Sequence, residues 1–127
     1  MNKFLNPDTV HAPLAAYSHQ AIATAFQRWL VVSGQVGMRL DGSMPDDPLD
    51  QFEVALDNIN RNLEAASMGI RDVVKLSIYL VDHIDTAKRR EAISRWLQGH
   101  KPCMTLVYVT VLAAPNLKVE IEAWACA

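Results

Sequence analysis

Two carboxylates with one residue between them, Glu120 and Glu122, stand in the largely apolar run 117–125 near the C-terminus. Successive side chains of an extended strand point to opposite faces, so Glu120, Glu122 and Trp124 share one face and Val119, Ile121, Ala123 and Ala125 the other. The second set suits packing against helices. The first set then faces away from that core, and partial withdrawal from water there would raise a carboxylate pKa and suit the group to moving protons or positioning water. Periodicity alone leaves a solvated edge or a pair of salt-bridge partners as the alternative reading. Other chemistry-bearing residues are sparse. Cys103 and Cys126 form no paired-cysteine motif, and His11, His19, His83 and His100 show no spacing that would build a zinc or iron site, so no metal is expected.

The elements that must position these residues follow from periodicity. Residues 41–48 hold Gly42, Pro45 and Pro48 and read as a loop, after which Asp47 can cap a helix with Pro48 in its first turn. Phe52, Ala55, Leu56, Ile59, Leu63 and Ala66 recur at helical steps, and Gly69 is expected to stop the helix. Residues 72–81 read as a strand. A second helix is signalled by Asp85 as cap, by Ala92, Ile93, Trp96 and Leu97 on one face, and by Gly99 at its end, with Lys88, Arg89, Arg90 and Arg95 on the solvated face. Residues 105–112 and 117–125 are expected to form a hairpin, and residues 18–24 and 29–32 an earlier one. The order β-β-α-β-α-β-β predicts an α+β fold with two helices on one face of a mostly antiparallel sheet.

Both faces of the 105–112 run are rich in apolar groups, yet only one face can meet the helices. The other is expected to pack against further copies of the chain in a closed homo-oligomer. With 127 residues, half of them hydrophobic, the chain can bury one core, so a single domain over 1–127 is expected. The net charge of -2 provides no basic field for nucleic acid or anionic membranes. Residues 1–14 lack the apolar stretch of a signal peptide, and no run reaches the roughly 18 apolar residues of a membrane span. A cytoplasmic location is expected.

The residues also carry a resemblance that spans nearly the whole chain. Tyr17-Ser18-His19, Ser33-Gly34-Gln35, Gln51 with Ala55, Leu56, Asn58, Ile59 and Leu63, the run 72–75, the run 79–82, Pro102 and Val119-Glu120-Ile121-Glu122-Ala123 together resemble the RidA/YjgF family, also called endoribonuclease L-PSP-like. The resemblance implies a chorismate-mutase-like α+β fold, a homotrimer and clefts at the subunit interfaces. It also implies hydrolysis of reactive enamines or imines, releasing ammonia, with no metal or organic cofactor. In that reading Glu120 holds or activates water, Tyr17 orients the substrate or the leaving nitrogen, and Ser33 and Gly34 offer hydroxyl and backbone contacts.

The chain departs from the family at an informative place. Deaminases of the family carry, two residues after the proline that corresponds to Pro102, an arginine that clamps the substrate carboxylate; this chain has Met104. A thioether cannot make that bidentate contact, which argues against the usual amino-acid-derived imino acids. The family's common cysteine is replaced by Leu106, and Cys103, three residues away, points to the opposite face. Met104, Leu106 and Trp124 therefore suggest an apolar cleft opposite Glu120 that takes a neutral or aromatic small molecule. His19 is a further candidate contact, with local hydrogen bonding as its alternative. The leading expectation is an imine, enamine or related C–N hydrolase. The alternative is a non-catalytic trimer that binds a small metabolite or a protein, and the acidic balance disfavours the ribonuclease reading.

Overall fold

Pro48–Ala65 form helix α1 in the computed structural model, which describes residues 1–127. Its start follows the sequence signals: the Asp47 carboxylate accepts the Asp50 amide at 3.1 Å, and Pro48 stands in the first turn, where a missing N–H costs little. Its end does not. Ser67, at φ 55°, takes the left-handed position, and the Met68 amide donates back to the Leu63 carbonyl at 2.8 Å, while Gly69 is extended. The chain turns two residues before the glycine expected to turn it. Helix α2, Thr86–Leu97, is capped by Asp85, whose carboxylate accepts the Lys88 amide at 2.9 Å, and ends at left-handed Gln98 and Gly99.

The strands are β1, Asn2–Leu5; β2, Gln20–Ala23; β3, Trp29–Val36; β4, Val73–Leu80; β5, Cys103–Tyr108; and β6, Val119–Cys126. The main sheet has the order β3-β6-β4-β5, with β4 and β5 parallel and the other pairs antiparallel. Both expected hairpins are overturned. β2 pairs with β1, a strand unforeseen in the N-terminal segment, and not with β3. The segment before β3 is instead tied to the C-terminus: the Gln27 and Arg28 amides both donate to the Ala127 carbonyl, which aims β3 along β6.

β5 and β6 do not pair either, because β6 inserts between β3 and β4. A strand, a crossover helix and a parallel strand (β4-α2-β5) set β5 beside β4, and residues 109–118 are long enough to carry the chain past the end of β4 to its other side. β5 also stops at Tyr108, short of the expected residue 112. Its last link is the Val109 amide to the Leu80 carbonyl, where β4 itself ends.

The central place of β6 makes its alternation consequential. Val119, Ile121, Ala123 and Ala125 are fully buried against Phe52, Ile59 and Leu63 of α1, as the period of two predicts. Gln51 of α1 anchors the entry to β6, donating to the Pro45 and Asn116 carbonyls and accepting the Lys118 amide at 2.8 Å. Asn58 ties the same helix to the end of β3 through the Val36 and Met38 carbonyls. No helix covers the other face of the sheet, where Val31 is 57% exposed and Val107 40%.

Candidate functional site

Glu120 lies on that uncovered face, between Val36 of β3 and Tyr79 of β4. The β3–β6 register slips between Val32 and Gln35, so Ser33 and Gly34 form a bulge beside the carboxylate. A Cβ on Gly34 would stand 2.2 Å from Glu120 Oε1, so only glycine allows this approach. No hydrogen bond from the chain reaches the Glu120 carboxylate, which leaves both oxygens available to water or substrate. Glu122 is committed: it accepts the Tyr79 hydroxyl at 2.7 Å. That hydrogen bond, helped by burial and by the charges of Glu122 and Glu120, holds the Tyr79 pKa above its ordinary value.

Tyr17 stands elsewhere, held by its neighbour. The Ser18 hydroxyl donates to the Lys101 carbonyl at 2.6 Å and the Ser18 amide to Pro102, pinning this segment against the start of β5. Beside it a cavity of about 620 Å³ opens between residues 14–17, α2 and β5, with Tyr17, Ile78, Ile93, Met104 and Leu106 in its wall. The cavity is chiefly apolar. The Tyr17 hydroxyl accepts the Leu14 amide at 3.2 Å and keeps its proton free to donate.

The candidates thus fall into two groups. Ser33, Gly34 and Glu120 are together on the uncovered face, and Tyr17, Met104 and Leu106 are together on the helix side. Within one chain Met104 and Leu106 lie on the opposite side of the sheet from Glu120. Met104 is in register with Leu76 and Leu106 with Ile78, both core residues, whereas the partners of Tyr79 are Glu120 and Val107. Trp124 belongs with Glu120 by the same alternation, not with Met104. His19 is not in the cavity wall but touches the second group from outside: its ring meets those of His11 and Tyr17 edge to face, and its Nε2 lies 2.6 Å from the His11 carbonyl.

Two features escaped sequence reasoning. Tyr79 could have been found by applying the period of two to β4, which sets Lys75, Ser77 and Tyr79 on the Glu120 face. The position of Arg89 is the other: it is half-buried rather than wholly solvated, and with Arg90 it lines the Tyr17 cavity. Cys103 offers no ready thiolate, since burial raises its pKa and Lys75 only partly opposes this. No group of three or more His, Cys, Asp or Glu side chains converges as a metal site would require. No helix is long and apolar enough to cross a membrane.

Comparison with known proteins agrees with this architecture. Residues 9–127 match the family described as Endoribonuclease L-PSP. A RutC family protein of Pyrococcus horikoshii is 32% identical over 125 residues, covering 97% of this chain and 96% of that protein. TdcF of Escherichia coli, provisionally named a reactive intermediate deaminase, is 30% identical over 85 residues, 65% of each chain. The crystal structure of YyfB from Yersinia pestis, a protein of unknown function in the conserved Rid family, superposes with a TM-score of 0.86 at 30% identity, covering 99% of this chain and 98% of that one. With its fold, its match over residues 9–127 and these relatives, the chain belongs to the RidA/YjgF, or endoribonuclease L-PSP, family.

Proposed function

We propose that the protein hydrolyses a small imine, enamine or related C–N substrate in clefts of a homotrimer, where the Glu120 face of one subunit meets the Tyr17 cavity of the next. The observation that carries this reading is the Glu120 carboxylate, unpartnered and pressed beneath the Ser33–Gly34 bulge on a sheet face that no helix covers. Exposed Val31 and Val107 on that face supply the apolar surface an interface would bury. The name borne by TdcF supports the reaction class.

The chemistry needs little. Glu120 takes a proton from water as the oxygen attacks the imine carbon and returns it to the nitrogen, giving a carbinolamine; the carboxylate then carries the hydroxyl proton of that carbinolamine to the nitrogen as the C–N bond breaks, releasing a carbonyl compound and ammonia. Tyr17 donates its free hydroxyl proton to hold the nitrogen side, and Ser33 offers an exposed hydroxyl at the carboxylate. Met104 gives no bidentate anchor for a carboxylate on the reacting carbon, so the usual amino-acid-derived imino acids are poor candidates.

Ammonia release from a panel of imines and neutral amide-like compounds tests the proposal. The intact protein should accelerate at least one, and Glu120→Ala should lose about 10²-fold or more of that rate. Undiminished turnover in Glu120→Ala, or none in the intact protein, rules the mechanism out. The second reading, a trimer that binds without reacting, is favoured by Met104 itself. It predicts a ligand that raises the melting temperature and is recovered unchanged.

A further inference from the structure

The charge along α2 is unusual for a helix that ends in solvent. Lys88, Arg89 and Arg90 are consecutive near its start, and its first turn carries no acidic residue. Cations there oppose the helix dipole, whose N-terminal end favours negative charge. The other arginines of the two helices are neutralised: Arg61 pairs with Asp57 at 2.8 Å and Arg95 with Glu53 at 2.8 Å. Arg89 and Arg90 have no carboxylate partner. The nearby acids are engaged elsewhere, Asp85 in capping α2 and Glu91 with Arg95 at 3.7 Å.

Half-buried Arg89 and exposed Arg90 border the Tyr17–Met104 cavity together with Glu91, which pairs with Arg95, and Ser94; the other ten lining residues are hydrophobic, so the two arginines leave its polar rim with a net positive charge. Arg89 is half-buried, with Nη1 3.3 Å from the Tyr108 hydroxyl, a neutral acceptor that leaves its charge unbalanced. A guanidinium beside an apolar wall is less well hydrated than one in open solvent, so an anion that reaches it meets a smaller desolvation cost and a stronger attraction. A cavity of about 620 Å³ is within the range that holds a small organic ligand.

We infer that Arg89 and Arg90 bind the anionic end of an apolar ligand, so that α2 anchors carboxylates in a cavity where β5 presents Met104. The ligand class is a small molecule with an apolar or aromatic body against Met104, Leu106 and Ile93 and a carboxylate at its far end. The inference rests on the proposed function only in taking this cavity as the substrate side of the cleft; the binding itself requires no catalysis.

The test is calorimetric titration of the full chain with 3-phenylpropanoate and with its neutral isostere 3-phenylpropanamide. Charge-assisted hydrogen bonds should make the carboxylate bind about tenfold or more tightly than the amide. In Arg89→Gln/Arg90→Gln this preference should fall to about twofold or less while amide binding is unchanged. Equal binding of the two probes by the intact protein, no binding of either, or a preference that survives the double substitution each overturns the inference. The comparison within the intact protein decides even if the variant does not fold. Glu120→Gln separates the two proposals, because it should abolish turnover and leave the carboxylate preference intact. A preference without turnover of any imine would remove the hydrolase and keep the anion site; turnover without preference would do the reverse.

Discussion

Glu120 and Glu122 look equivalent in sequence, and their neighbours make them different. Glu122 accepts the Tyr79 hydroxyl, whereas Glu120 has no donor and is crowded by the backbone at Gly34. The Tyr79–Glu122 pair has a consequence for pH. Its folded-state pKa lies above the ordinary value of 10.0, chiefly through the hydrogen bond to Glu122, so the neutral phenol is favoured in the folded chain. That stabilisation is fully present below the unfolded pKa and is lost as pH rises through the raised folded value. Urea denaturation between about pH 8 and pH 11 should show stability falling above about pH 10, and Tyr79→Phe should make this alkaline fall shallower. An unchanged slope in Tyr79→Phe would assign the fall to other groups.

Among the elements, α1 shows how a local signal can be right in kind and displaced in position. A left-handed residue ends the helix, as a nearby glycine suggests, but the residue is Ser67. Met68 is buried in the core cluster, and this fixes where the chain must turn, whatever residue stands there. Its amide closes on Leu63 only if position 67 adopts positive φ. Ser67→Gly is therefore expected to stabilise the protein by up to about 1 kcal/mol, the left-handed cost relieved less the added freedom of the unfolded chain. A lowered urea midpoint for this variant would show that the turn carries no such strain.

At the scale of the molecule, the sheet is covered on one side only. Its free face carries Val31 and Val107 beside Glu120, and the trimer reading requires this face to be buried between subunits. Val31→Asp should then reduce the molar mass measured by light scattering from that of three chains to that of one, with helical circular dichroism retained. An intact protein that already measures as one chain would overturn the assembly, and with it the meeting of Glu120 and the Tyr17 cavity.

Much of this was legible in one dimension. From β2 onward the β-β-α-β-α-β-β order, the Asp47 and Asp85 caps and the split of β6 into a buried and a polar face all follow from periods of 3.6 and 2, because each depends on residues a few places apart, whereas β1 was not foreseen. The candidate residues were legible too, Glu120 from its alternation and the others through family likeness. What the chain brings together across long separations was not. Hairpins were the nearest pairings in sequence, yet the tie of Gln27 and Arg28 to Ala127 and the β4-α2-β5 crossover select others, and they put β6 at the centre of the sheet. That register decides that Glu120 faces Tyr79 and Gly34 and that Met104 and Leu106 lie behind the sheet. Alternation says which residues share a face of their own strand, and only the pairing of strands says whose company that face keeps.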